Sequence, residues 1–256
     1  MPWKDGRGGA FRSNPSRREL FCAAGAGAAL ALLGRLPGQS GLFPSPTSFV
    51  RPPGALPEAD FLRLCLRCGA CMQVCPDKAL QPVLFQAGGE GFHSPVLAPR
   101  CGACQPECTL CGTVCPTGAL KKLPLSEKRW AKMGTAVVNK TLCLAFAEGR
   151  RCMVCKENCP YGAVDVIAQE GLPVSVPVVQ ANRCYGCGFC EKACPKTPAA
   201  IVISSEGALR LNSRAYQAQA RALGLELDPE QHQGTQGKPS ASWNGAWNGA
   251  PPGFLE

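Results

Sequence analysis

The sequence predicts a loop-rich α+β fold, assembled from small repeated units that metal–thiolate bonds staple together in place of one large apolar core. Three observations carry that expectation. Eighteen cysteines stand against two histidines in 256 residues. Gly (29) and Pro (24) outnumber Phe (10), Trp (4) and Tyr (3), a composition that favours loops over a thick core. The dipeptide Cys-Pro recurs at Cys75, Cys115, Cys159 and Cys194, followed by the related strings CPDKAL, CPTGAL, CPYGAV and CPKTPAA, so the chain is an internal repeat.

The fourth repeat is the clearest. Cys184, Cys187, Cys190 and Cys194 have the spacing C-x2-C-x2-C-x3-C-P, the run that holds cubane iron–sulfur clusters in bacterial-type ferredoxins. Three thiolates two residues apart on a tight turn point at one small cluster, and the turn's N–H groups are left to bond the cluster sulfurs. Gly186 and Gly188 suit close backbone approach and positive φ, and Pro195 turns the chain away after the last thiolate. The fourth cysteine of such a run ligates the other cluster of a pair, so each run implies a partner.

The first repeat is equally complete, with Cys65, Cys68, Cys71 and Cys75. The third is stretched at its front, as Cys143-x8-Cys152-x2-Cys155-x3-Cys159-Pro160. The second has one cysteine too many: Cys101, Cys104, Cys108, Cys111 and Cys115. Cys108, Cys111 and Cys115 keep the gaps of the other units, and either Cys104 or Cys101 completes the set. Cys104 is preferred because its x3 gap keeps the turn compact. Sixteen ligands then remain, with Cys101 spare and Cys22 near the N-terminus. These are α+β, tandem, bacterial-type (2×[4Fe–4S]) ferredoxin-like units, expected over residues 59–210.

Short β-prone runs lie between the units at 135–138, 174–179 and 200–203. Pro177 marks its run as an edge strand. Short helices are expected after each Cys-Pro, and residues 211–225 have the spacing of a surface helix. Residues 41–58 read as a Pro/Gly-rich linker. The stretch 211–256 reads as that helix followed by a disordered tail, with Trp-Asn-Gly-Ala duplicated at 243–250.

The N-terminus carries an address. Ser16-Arg17-Arg18-Glu19-Leu20-Phe21 precedes an apolar run at 22–33 that is short for a bilayer span but suits a signal h-region. Residues 1–40 look like a twin-arginine export signal, cleaved or retained as an anchor, with Leu20 and Phe21 in swapped order. Export of thiol-rich chains normally yields disulfides. The twin-arginine translocase moves proteins already folded and loaded, so cluster motifs and this signal support each other.

The formal charge is +9, of which the first 40 residues carry +4. Four thiolate-bound cubanes would contribute about −8, so the loaded chain is mildly acidic and nucleic-acid binding is not expected. The basic residues Lys121, Lys122, Lys128, Arg129 and Lys132 form either a docking patch for an acidic partner or, more simply, a solvated connector.

Beyond the cysteine spacing, segments 51–76 and 131–160 resemble the MauM/NapG family of exported ferredoxin-type proteins. Met133-Gly134, Cys143-Leu-x-Phe146 and the four Cys-Pro endings are the specific parts of the likeness, which covers residues 14–210. The resemblance implies four [4Fe–4S] clusters and electron transfer in the periplasm. The implied partners are a membrane quinol-oxidising ferredoxin-type protein and a periplasmic redox protein or reductase, serving nitrate reduction or methylamine oxidation. It also implies a nested pairing: Cys65, Cys68 and Cys71 with Cys194; Cys184, Cys187 and Cys190 with Cys75; Cys104, Cys108 and Cys111 with Cys159; Cys143, Cys152 and Cys155 with Cys115. Spacing alone leaves pairing of neighbours open.

Other readings are weaker. Zinc sites use two C-x2-C pairs with a longer spacer, and a disulfide scaffold leaves the Cys-Pro endings unexplained. No Cys-x-x-Cys is followed by His, so covalent haem is not indicated, and His93 and His232 are isolated. Gly25-Ala-Gly27 lacks a strand before it and reads as signal core, not a dinucleotide loop. No nucleophile–base pair stands out. The chain therefore reads as an electron carrier, with an iron–sulfur subunit of a molybdenum oxidoreductase, or a zinc-bearing assembly factor, as the alternatives.

Overall fold

The structure, a computed structural model, describes residues 49–84 and 91–227. The expected signal and the tail beyond 227 lie outside the described residues. The elements follow as α1 (Glu58–Leu64), α2 (Ala70–Gln73), β1 (Leu80–Pro82), β2 (Pro95–Leu97), α3 (Leu110–Thr113) and α4 (Leu125–Lys128). Next come β3 (Thr135–Val138), α5 (Leu144–Ala147), α6 (Val154–Glu157), β4 (Val164–Ile167), β5 (Val176–Val179), α7 (Phe189–Ala193), β6 (Ile201–Ser204) and α8 (Tyr216–Ala222). Among the described residues no helix is long and apolar enough to cross a membrane.

The strands form two-stranded antiparallel sheets with a nested order. β3 and β6 bracket the last two cysteine stretches, paired from Thr135↔Ser204 to Val138↔Ile201. β4 and β5 lie between those stretches, paired from Val164↔Val179 to Ile167↔Val176. The first half repeats the order on a smaller scale. β1 pairs with β2 between the first two stretches, and a single bridge, Ala55↔Leu120, brackets them. Every strand is thus an edge, which is why Pro177 is tolerated opposite Val166 without losing a central ladder bond.

Three expectations need correction. Helices do not follow the Cys-Pro endings; a turn and usually a strand do, because the N–H groups there are drawn to cysteine sulfur instead of an i−4 carbonyl. The short helices instead carry the third cysteine of each unit: Cys71 on α2, Cys111 on α3, Cys155 on α6 and Cys190 on α7. The end of the expected linker is also packed, with Val50 to Leu56 buried and Ala55 in the bridge to Leu120. Nor is α8 a surface helix, since Tyr216, Ala220 and the following Leu227 belong to the main apolar core. Apolar positions four apart on one face (216 and 220) drive that docking.

A buried charge network ties residues 49–58 to Arg210. Arg51 donates to both carboxylate oxygens of Glu58, to Ser94 Oγ and to the Pro95 carbonyl. Its guanidinium also lies 4.8 Å from the Phe61 ring centroid. Arg210 reaches the same carboxylate at 2.6 Å and the Phe49 carbonyl at 2.7 Å.

The positive φ expected at Gly186 and Gly188 is found, at 80° and 90°. A Cβ on Gly188 would stand 2.8 Å from Pro99 Cβ, so this glycine lets the last cysteine turn seat against the first half. Gly188→Ala is therefore expected to cost about 2 kcal/mol from left-handed backbone and overlap together. A lowered midpoint for thermal loss of the iron–sulfur absorbance, at unchanged initial iron content, is the check.

Candidate metal centre

Sixteen of the seventeen described cysteines gather into four sets of four. Two sets line separate hollows, one around Cys75, Cys104, Cys108 and Cys111, the other around Cys143, Cys152, Cys155 and Cys194. In a third set Cys71 is pushed up to about 12, by burial first and then by the charges of Cys65, Cys115 and Cys68 beside it. Burial likewise raises Cys65, with Cys115 adding to it. In the fourth, Cys187 and Cys190 are raised well above the ordinary thiol value, burial leading and Cys159 and Cys184 following. Cys159, Cys184, Cys187 and Cys190 are all buried, whereas Cys68 in the third set is exposed.

Each set takes three cysteines from one unit and the last from its sequence neighbour. First pairs with second and third with fourth. This corrects the nested order implied by the resemblance: Cys115, not Cys194, stands with Cys65 and Cys71, and Cys194 stands with Cys143, Cys152 and Cys155. The physical cause lies in the strands. The Ala55–Leu120 bridge folds the second Cys-Pro ending back onto the first unit. β3–β6 pairing folds the fourth ending back onto the third.

The Cys-Pro sulfurs share one environment. Ala79 N–H donates to Cys75 Sγ at 3.3 Å, Leu120 to Cys115 at 3.4 Å, Ala163 to Cys159 at 3.3 Å and Ala200 to Cys194 at 3.3 Å. Such donors stabilise a thiolate and tune whatever it ligates. Of the five cysteines in the second unit, Cys104 faces the hollow with Cys75, Cys108 and Cys111, while Cys101 is exposed outside it. Cys104→Ser is expected to cost one cluster and Cys101→Ser almost none, as read by iron and sulfide per chain. The reverse result would transfer the ligand role to Cys101.

An all-sulfur donor set suits iron–sulfur clusters or zinc. Tetrahedral zinc draws its sulfurs to about 3.8 Å of one another, from a Zn–S bond of about 2.3 Å. Two of the sets rim a hollow, and an all-sulfur rim around a space is what a cubane fits.

The sequence reading missed what lies between the sets. Tyr161 and Tyr185, both fully buried, stack with ring centroids 4.9 Å apart and planes at 10°. Lys128 and Lys132, expected on a basic surface, are buried at 1% and 3% exposure. Lys128 Nζ donates to the Gln105 and Pro106 carbonyls at 2.5 and 2.9 Å, and Lys132 to the Ala181 carbonyl. They staple loops and present no charge to a partner. His93 is exposed, with Nδ1 3.3 Å from the Arg67 carbonyl oxygen, and joins no cysteine set.

Repeated cysteine turns, small antiparallel sheets and four-sulfur hollows define a ferredoxin-type iron–sulfur protein. A family model described as the 4Fe-4S binding domain matches residues 62–81. The chain is 37% identical over 227 residues to the methylamine utilization ferredoxin-type protein MauM of Methylorubrum extorquens, covering 82% of this chain and 98% of that one. It is 41% identical over 160 residues to MauM of Paracoccus denitrificans, covering 59% and 69%. Against the ferredoxin-type protein NapG of Escherichia coli it is 36% identical over 165 residues, covering 60% and 69%. The chain belongs to the MauM/NapG family of ferredoxin-type proteins.

Proposed function

We propose that this chain is an exported electron carrier that holds four [4Fe–4S] clusters in two tandem ferredoxin-like pairs. It would pass electrons between a quinol-linked membrane partner and a periplasmic redox system of the methylamine or nitrate type. The single observation that carries the reading is the gathering of sixteen cysteines into four sets, each completed by the neighbouring unit's Cys-Pro ending.

The residues assigned to hold the clusters are Cys65, Cys68, Cys71 and Cys115; Cys75, Cys104, Cys108 and Cys111; Cys159, Cys184, Cys187 and Cys190; and Cys143, Cys152, Cys155 and Cys194. When bound, a cubane supplies one-electron storage. The chain supplies thiolates, N–H donors that set potential, and apolar packing that excludes water. With its residues so committed, the chain carries electrons for an oxidoreductase and needs no substrate pocket of its own.

Export rests on the paired arginines at 17 and 18 and on the twin-arginine route's acceptance of folded, loaded proteins. The test is anaerobic purification of the full chain with iron and sulfide analysis, where about 16 Fe per chain is expected. A colourless chain rich in zinc would overturn it in favour of an assembly factor. Co-purification at fixed stoichiometry with a large molybdenum-containing chain would favour a complex subunit over a free carrier.

A further inference from the structure

A main-chain hydrogen bond joins the two pairs of cysteine sets directly. Cys104 N–H donates to the Cys187 carbonyl at 2.8 Å, so a ligand of the set with Cys75, Cys108 and Cys111 is hydrogen-bonded to a ligand of the set with Cys159, Cys184 and Cys190 through main chain alone. The Tyr161–Tyr185 stack lies at the same junction. Tyr161 follows Cys159-Pro160 and Tyr185 follows Cys184, so both rings are held by ligand turns of one set. Across the junction, Tyr185 Oη donates to the Lys128 carbonyl at 2.9 Å. Lys128 Nζ stands 5.1 Å from the Tyr185 ring centroid and binds the carbonyls of Gln105 and Pro106, which directly follow Cys104. Main-chain donation from Met133 to the Tyr185 carbonyl at 2.9 Å pins the same residue from behind.

Tyr161 Oη is buried with no hydrogen-bond partner among the described residues. Leaving a buried hydroxyl unpaired is costly, a cost that phenylalanine would avoid. The Tyr161 ring is fully buried and stacked on Tyr185, so packing fixes its place beside the Cys159 turn without any hydroxyl bond.

Within each pair the ligand-bearing helices pack together: α2, with Cys71, lies on α3, with Cys111, and α6, with Cys155, lies on α7, with Cys190. The order is then first-unit set, second-unit set, fourth-unit set, third-unit set, with the exposed Cys68 at one end and Cys152 at the other.

We propose that the Cys104–Cys187 link and the Tyr161–Tyr185 stack join the two pairs into one linear relay, with both tyrosines as positioning residues that fix the crossing distance. This rests on the cluster reading above. In each step one electron leaves the donor centre, which is oxidised by one unit, and enters the acceptor centre, which is reduced by one. No bond is made or broken, and no proton moves.

The test is EPR of the full chain, purified anaerobically and fully reduced. Cys68→Ala with Cys152→Ala empties the two end seats and should leave about 8 Fe. The two remaining centres then lie in different pairs. Spin-coupled, broadened signals are expected; two independent narrow signals overturn the linear relay.

In the intact four-centre chain, Tyr161→Leu is expected to keep the iron but lose at least half of the coupling between pairs. Unchanged coupling would overturn the role of the stack. Tyr161→Phe should leave the spectrum as it was, because no hydroxyl bond is lost; a changed spectrum would overturn the assignment to the ring. The four-centre comparison keeps the proposal falsifiable should the end-seat variant fail to load. A chain without iron would sink the cluster reading itself, whereas a loaded chain with uncoupled pairs sinks only this inference.

Discussion

Removing Cys68 and Cys115 together is expected to cost the same single cluster as removing either one, while removing Cys68 and Cys194 together costs two. The expectation follows from seat membership. Cys65, Cys71 and Cys115 stand together with Cys68, so the second deletion strikes a seat already lost. Cys194 lines a different hollow with Cys143, Cys152 and Cys155, so its loss is independent. Intact cubanes, counted by spin integration of the reduced protein and by iron, should fall from about four to about three in both single variants and in the first double. They should fall to about two in the second double. Nested pairing gives the opposite pattern, with the Cys68 and Cys194 pair behaving as one seat. This is the non-additivity expected of groups that act as a unit, and it needs no structure of the variant. Cys68 is the best place to begin because it is exposed, so its side chain carries little of the packing.

Why the sequence showed the seats but not their pairing is a matter of range. A C-x2-C-x2-C turn is a local object whose three thiolates converge by spacing alone, so Cys184, Cys187 and Cys190 were legible together, as were the glycines that turn the chain between them. The β-prone runs were legible too, with 135–138 found as β3 and the others shifted by one or two residues. The fourth ligand depends on which strand brackets which unit, and four nearly identical Cys-Pro endings carry no label for that. Only long-range partners decide it, such as Val138↔Ile201 and Ala55↔Leu120. The same holds for charge. Lys128 and Lys132 look like surface residues in sequence because nothing nearby pairs with them, whereas their partners are carbonyls of loops at 105–106 and 181. Composition does not reveal the tyrosine stack: of three tyrosines in 256 residues, two meet face to face through long-range packing.

The other large effect is expected away from every cysteine. Glu58→Ala should lower stability by about 3–5 kcal/mol, the range for breaking a buried ion pair by removing one partner. The side chains of Arg51, Glu58 and Arg210 are 1%, 11% and 15% exposed, so solvent screening offers little relief. Two guanidiniums share this one carboxylate. Deleting it leaves both positive, close together and desolvated; burial already lowers the Arg210 pKa, and Glu58 is what opposes that shift. Arg51 would keep only neutral partners, the Ser94 hydroxyl and the Pro95 carbonyl, with the Phe61 ring over its plane. Arg210 would keep the Phe49 carbonyl. For a folded unit of this size the loss corresponds to a fall of on the order of 10 °C in the midpoint of thermal bleaching. Glu58→Gln preserves an acceptor without the charge and should fall between wild type and Ala. Arg51→Met with Glu58→Met and Arg210→Met removes all three charges at once and should recover much of the loss, because no charge is then left unpaired. A Glu58→Ala chain that bleaches at the wild-type temperature would mean that water reaches the network and that apolar packing alone holds residues 49–58 against Arg210.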